Sequence, residues 1–144
     1  MTGVLVIAAA YCMYRAVNRG GLPVTVALLG VGILGVGIFP GNNPAPHQVF
    51  SLLAFSAGGA AAVLSSRVQA RPLRYFSLLA GLVALLSLVA AVFFADWAPA
   101  AWLGEGGVER WVAYPVVLWM GSFGASLCCT AFRRGPATSA GRQT

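Results

Sequence analysis

Few residues in this chain can do chemistry. His47 is the only histidine, and Asp96, Glu105 and Glu109 are the only acids among 144 residues. Ser51 follows His47 by four positions, a spacing that puts both on one face of a helix. Glu109 is followed directly by Arg110, and Tyr114 lies four positions further on. These types permit three kinds of site. A carboxylate, a guanidinium and an imidazole can form a hydrogen-bonded clasp between two loops. Arg110 can face a phosphate in a shallow polar pocket for a lipid headgroup. A serine, a histidine and an acid can hydrolyse an ester when they touch in the right order. The clasp is the leading reading, the headgroup pocket comes second, and the hydrolytic or metal site comes last.

The third reading is weakened by what is missing. No Gly-x-Ser-x-Gly elbow surrounds Ser51. A zinc hydrolase draws on several histidines, and one is present. The three cysteines, Cys12, Cys128 and Cys129, lie in apolar runs without metal-ligand spacing. Gly30-Val31-Gly32 sits within an apolar run and is not a nucleotide loop. No catalytic residue, metal or cofactor is therefore assigned. A single histidine also admits a sensor that titrates near neutral pH.

The elements that position these residues are membrane helices. The chain is 59% hydrophobic and 8% charged, with a mean hydropathy of +0.83. A water-soluble globule needs more charge to cover its surface. The apolar residues come in long blocks at about 2–17, 22–39, 49–64, 75–94 and 111–132. Such blocks read as bilayer spans. The expected fold is an all-α membrane protein, a compact bundle of five transmembrane helices in a single domain over residues 1–134. The Gly-, Ser- and Thr-rich residues 135–144 read as a disordered cytoplasmic tail.

Charge placement orients the bundle. There is no lysine, and eight of the nine arginines fall in the first loop, the third loop and the tail. The positive-inside rule puts those segments in the cytoplasm, the N-terminus outside and the C-terminus inside. The first span precedes its positive charge, the reverse of a signal peptide. The net charge of +6 is then topological, and nucleic-acid binding, which needs a basic face with exposed aromatic residues, is excluded. Two connections lie outside: 40–47, with three prolines, and 96–110, with all three acids. His47, Ser51, Glu105, Glu109, Arg110 and Tyr114 thus form a candidate outer polar cluster. The span centres carry no ionisable residue, which argues against a monomeric transporter. Gly30, Gly32, Gly35 and Gly37 in the second span, Gly58 and Gly59 in the third, and Gly121 and Gly124 in the fifth mark faces where helices meet closely.

Taken together, Gly37-Ile38-Phe39-Pro40, His47, Ser51, Gly58-Gly59, Gly104-Glu105-Gly106-Gly107, Glu109-Arg110 and Tyr114-Pro115 resemble the archaeal and bacterial membrane family known as domain of unknown function 998. That family is similar in turn to the Frag/DRAM/Sfk-type membrane proteins. The resemblance runs from about Val4 to Phe132. It implies a compact helical bundle of six spans without an assigned catalytic activity. Against that pattern, the chain lacks the first span and the outer loop after it, which implies a companion membrane subunit or a homo-oligomer. The expected function is a non-enzymatic integral protein of the cell membrane, multi-pass, acting as a small subunit or lipid-interacting scaffold. The alternative is an outward-facing lipid-headgroup-binding or lipid-modifying enzyme using His47, Ser51, Glu109 and Arg110.

Overall fold

The computed structural model describes residues 1–17, 20–93 and 98–133, with side chains in the last segment described for Gly107 and from Glu109 to Thr130. Asp96 and the tail from Gly135 lie outside the described residues. All described elements are helices: α1 Thr2–Val17, α2 Gly21–Ile38, α3 Pro44–Ser65, α4 Leu73–Phe93 and α5 Ala98–Arg133. At 1.5 Å per residue, the 16 residues of α1 span about 24 Å against a hydrocarbon core of about 30 Å. Four helices are long and apolar enough to cross a bilayer: Gly21–Ile38, Pro44–Ser65, Leu73–Phe93 and the Glu109–Thr130 part of α5. The chain is accordingly a multi-pass membrane protein.

The ends of α2 and α3 are set by turn chemistry. The Phe39 N–H still bonds the Gly35 carbonyl at 2.9 Å, but Phe39 itself is extended and closes α2. Pro40 cannot donate to a helical ladder. Pro44 then opens α3 at a first-turn position, where a missing N–H costs nothing. The result is a five-residue connection that holds both helix ends together.

The connection between α4 and α5 departs from expectation. Residues 98–110 read as part of a loop because Gly104, Gly106 and Gly107 break helices, yet α5 begins at Ala98 and runs through them. Each glycine costs a helix about 1 kcal/mol. Ala98, Ala100, Ala101, Leu103, Glu105, Glu109 and Arg110 favour the helix, and Pro99 stands in its first turn, where proline is tolerated. With 36 residues, α5 extends about 54 Å, well beyond a bilayer core.

The helices pack in series, with α2 between α1 and α3, and α3, α4 and α5 in mutual contact. Among the described residues α1 packs on α2 alone, so the arrangement is open at that edge. Glycine seams join the series. Gly3 faces Gly30 between α1 and α2, and Gly59 faces Gly81 between α3 and α4. The α2–α3 seam has the strictest demand, since a β-carbon on Gly35 would enter the Phe50 ring. One on Gly58 would stand 2.7 Å from Val116 Cγ1 and push α5 away from α3. Gly37, Gly121 and Gly124 belong to no such seam, with nothing within 4 Å of an added β-carbon.

The register of α5 against α3 is fixed by a buried polar contact. Trp119 is 1% exposed and Ser65 0%. The Trp119 Nε1–H donates to Ser65 Oγ at 2.8 Å, and the Ser65 Oγ–H donates to the Ala62 carbonyl at 2.7 Å. The Trp119 ring stacks on Phe123 with centroids 5.5 Å apart. Val112, Val116, Trp119 and Phe123 are the buried row of α5, and Glu109 is the next position of that row toward the N-terminal end of the helix.

Candidate functional site

The site is built on the α2–α3 connection. With Gly35 leaving room, the Phe50 ring lies over α2 and stacks on Phe39, centroids 5.6 Å apart and planes within 4°. That stack holds the Phe39 backbone where its carbonyl meets His47 Nδ1 at 2.8 Å. A carbonyl oxygen only accepts, so the proton of this bond belongs to Nδ1. In the neutral ring Nε2 is then left with its lone pair. The clasp formed by His47 is therefore made within its own hairpin, to Phe39.

One turn below, Ser51 projects from α3, and Glu109 comes alongside from α5. His47, Ser51 and Glu109 line one cleft of about 290 Å³, whose apolar wall includes Val36, Ala54 and Phe55. This brings together three of the six residues expected in the outer cluster. The structure puts Arg110 and Tyr114 elsewhere. Adjacent helical residues point about 100° apart, and Arg110 and Tyr114 line a second groove of about 500 Å³ with Trp111, Pro115 and Leu118. Tyr114 and Trp111 are each 59% exposed there. Pro115 has no N–H for the Trp111 carbonyl, so that carbonyl lacks its usual helical donor beside Arg110. Glu105 belongs to α5 by its backbone, and its side chain lies outside the described residues.

The geometry bears on hydrolysis. In a Ser-His-acid triad the acid accepts the hydrogen bond from Nδ1–H and orients the ring. Here the Phe39 carbonyl holds that position, so Glu109 is not the orienting acid. Among the described residues no group of three His, Cys, Asp or Glu side chains can hold a metal ion. What the cleft does offer is hydrogen-bond acceptors over an apolar wall.

The family model described as "Protein of unknown function (DUF998)" matches residues 1–126. The chain belongs to this family. The match includes Phe39, His47, Ser51, Glu109, Arg110 and Tyr114 and ends within α5. No curated protein and no solved structure matches the chain. As a DUF998 protein it takes no activity from its family, and its function has to be argued from the cleft itself.

Two features of this DUF998 chain escaped the sequence. One is the Phe39 carbonyl as the partner of His47, since a backbone acceptor eight residues away leaves no mark in residue types. The other is the Trp119–Ser65 bond, spanning 54 positions. Its only signal is a tryptophan deep within an apolar run, where its N–H needs an acceptor.

Proposed function

We propose that this protein is a non-enzymatic integral membrane protein of five spans, N-terminus outside and C-terminus inside, that acts as a lipid-interacting scaffold or small subunit. Its outer end holds a lipid headgroup. The observation that carries this reading is the cleft shared by His47, Ser51 and Glu109, polar at its rim and apolar at its wall. That gradient matches the headgroup level of a bilayer, where a ligand is polar at one end and hydrocarbon at the other. Arginine placement supports the orientation, and it puts both outer connections on one side. The open edge at α1 supports a partner or a lipid annulus, since Leu5 is 70% and Tyr11 62% exposed there.

Purification in mild detergent followed by native mass measurement tests the proposal. The expected result is a protein that retains phospholipid or a companion chain. A stable lone monomer without lipid or partner refutes it.

A further inference from the structure

The cleft has a donor–acceptor character that selects among headgroups. With its Nδ1–H donating to the Phe39 carbonyl, the neutral ring of His47 has only the Nε2 lone pair to offer. The Glu109 carboxylate accepts only, and the Ser51 hydroxyl accepts as well as donates. No arginine is among the described residues lining the cleft, so an anion has no counter-charge in it. A zinc ion finds only two ligands of its usual types among the described lining residues, His47 and Glu109, where it takes three or four. A quaternary ammonium carries no N–H and is held by cages of several aromatic rings, whereas Phe55 is the one Phe, Tyr or Trp among the described lining residues. A protonated primary amine fits: three N–H donors meet an imidazole nitrogen, a carboxylate and a hydroxyl. The volume, about 290 Å³, is at the lower end for small-molecule pockets and suits a headgroup rather than an acyl chain.

The next residue, Arg110, lines the second groove together with Tyr114. An amino alcohol esterified to phosphate carries a cation and an anion a few bonds apart, and α5 carries the opposite charges on two successive residues, Glu109 and Arg110. A guanidinium is well suited to the phosphate.

We propose that the cleft binds the primary ammonium of an aminophospholipid headgroup, held by His47, Ser51 and Glu109, with Arg110 on the neighbouring phosphate. This rests on the lipid-binding reading above and adds the headgroup class to it.

The test titrates the detergent-purified protein by calorimetry with three short-chain phospholipids sharing the same acyl chains. They carry ethanolamine, choline or glycerol. Free ethanolamine is the fourth probe. The ethanolamine lipid should bind at least roughly tenfold more tightly than the other two, the scale of one hydrogen bond to a charged group. Free ethanolamine should bind far more weakly than the lipid. In Glu109→Gln the preference should vanish while the helix content matches that of the unaltered protein, which shows that the variant is folded. In Arg110→Gln all three lipids should weaken alike and the preference should remain. Equal binding of the three lipids by the unaltered protein overturns the inference without any variant, as does a preference that survives Glu109→Gln. Free ethanolamine binding as tightly as the lipid overturns the lipid as ligand. If no lipid binds at all, the lipid-binding reading falls with it; if lipids bind without headgroup preference, only the ammonium assignment falls.

Discussion

Replacing Ser65 with alanine removes one oxygen from the centre of the protein and asks what holds α5 in register. Trp119 is 1% exposed, so its Nε1–H cannot turn to water when Ser65 Oγ is gone. Stranding a buried donor costs about 1–3 kcal/mol. The membrane lowers that figure, because the unfolded reference also finds partners; interhelical pairs couple by about 0.6 kcal/mol on average and about 1.7 at most. Ser65→Ala also deletes the hydroxyl's local bond to Ala62. Ser66→Ala measures that local part alone, since Ser66 Oγ–H donates to Val63 at 2.6 Å in the same way. Trp119→Phe removes the donor from the other side together with part of the ring stacked on Phe123. The four proteins of the Ser65/Trp119 cycle should be unfolded from mild-detergent micelles with sodium dodecyl sulfate and followed by helicity. The two single substitutions should each destabilise, with a coupling of about 0.6–1.7 kcal/mol. Ser66→Ala should stay within about 0.5 kcal/mol of the parent. Additivity of Ser65→Ala and Trp119→Phe within about 0.3 kcal/mol refutes the bond as the element that sets the α3–α5 register.

Two further outcomes are expected. Gly35→Ala should lose about 1–3 kcal/mol, because its methyl enters the Phe50 ring. Gly37→Ala, two residues on with open space around it, should gain about 0.5–1 kcal/mol from helix propensity. The same unfolding assay reads both, and the reverse order contradicts the α2–α3 packing. The orientation is tested in a background with Cys12, Cys128 and Cys129 replaced by alanine. Asn42→Cys should react with an impermeant maleimide on intact cells, and Ser139→Cys only after permeabilisation; the opposite pattern inverts the topology.

Membrane character and the succession of helices were legible from residue types alone. A run such as residues 75–94 is apolar along its length, and a bilayer accepts such a run only as a helix, because every backbone polar group must be satisfied within it. Pro40 and Pro44 likewise mark a turn through local chemistry, whatever packs around them. The family resemblance carried by the Phe39-Pro40, His47 and Glu109-Arg110 elements was legible too, and the family match includes all of these residues.

The site was legible only as a set of residues on two connections. Tertiary structure decided its partition. Glu109 and Arg110 are neighbours in sequence, yet a helix separates their directions by about 100°, and the phase of α5 decides which of them lines the cleft with His47. That phase is set by Val116 against Gly58 and by Trp119 on Ser65, contacts between residues that sequence spacing does not relate. The glycines divide for the same reason. Gly35 and Gly37 are indistinguishable by type, but the Phe50 ring lies over only one of them. The polarity of each segment is a local property, written residue by residue. Which faces meet depends on close packing between segments, and that is decided only when the helices are assembled.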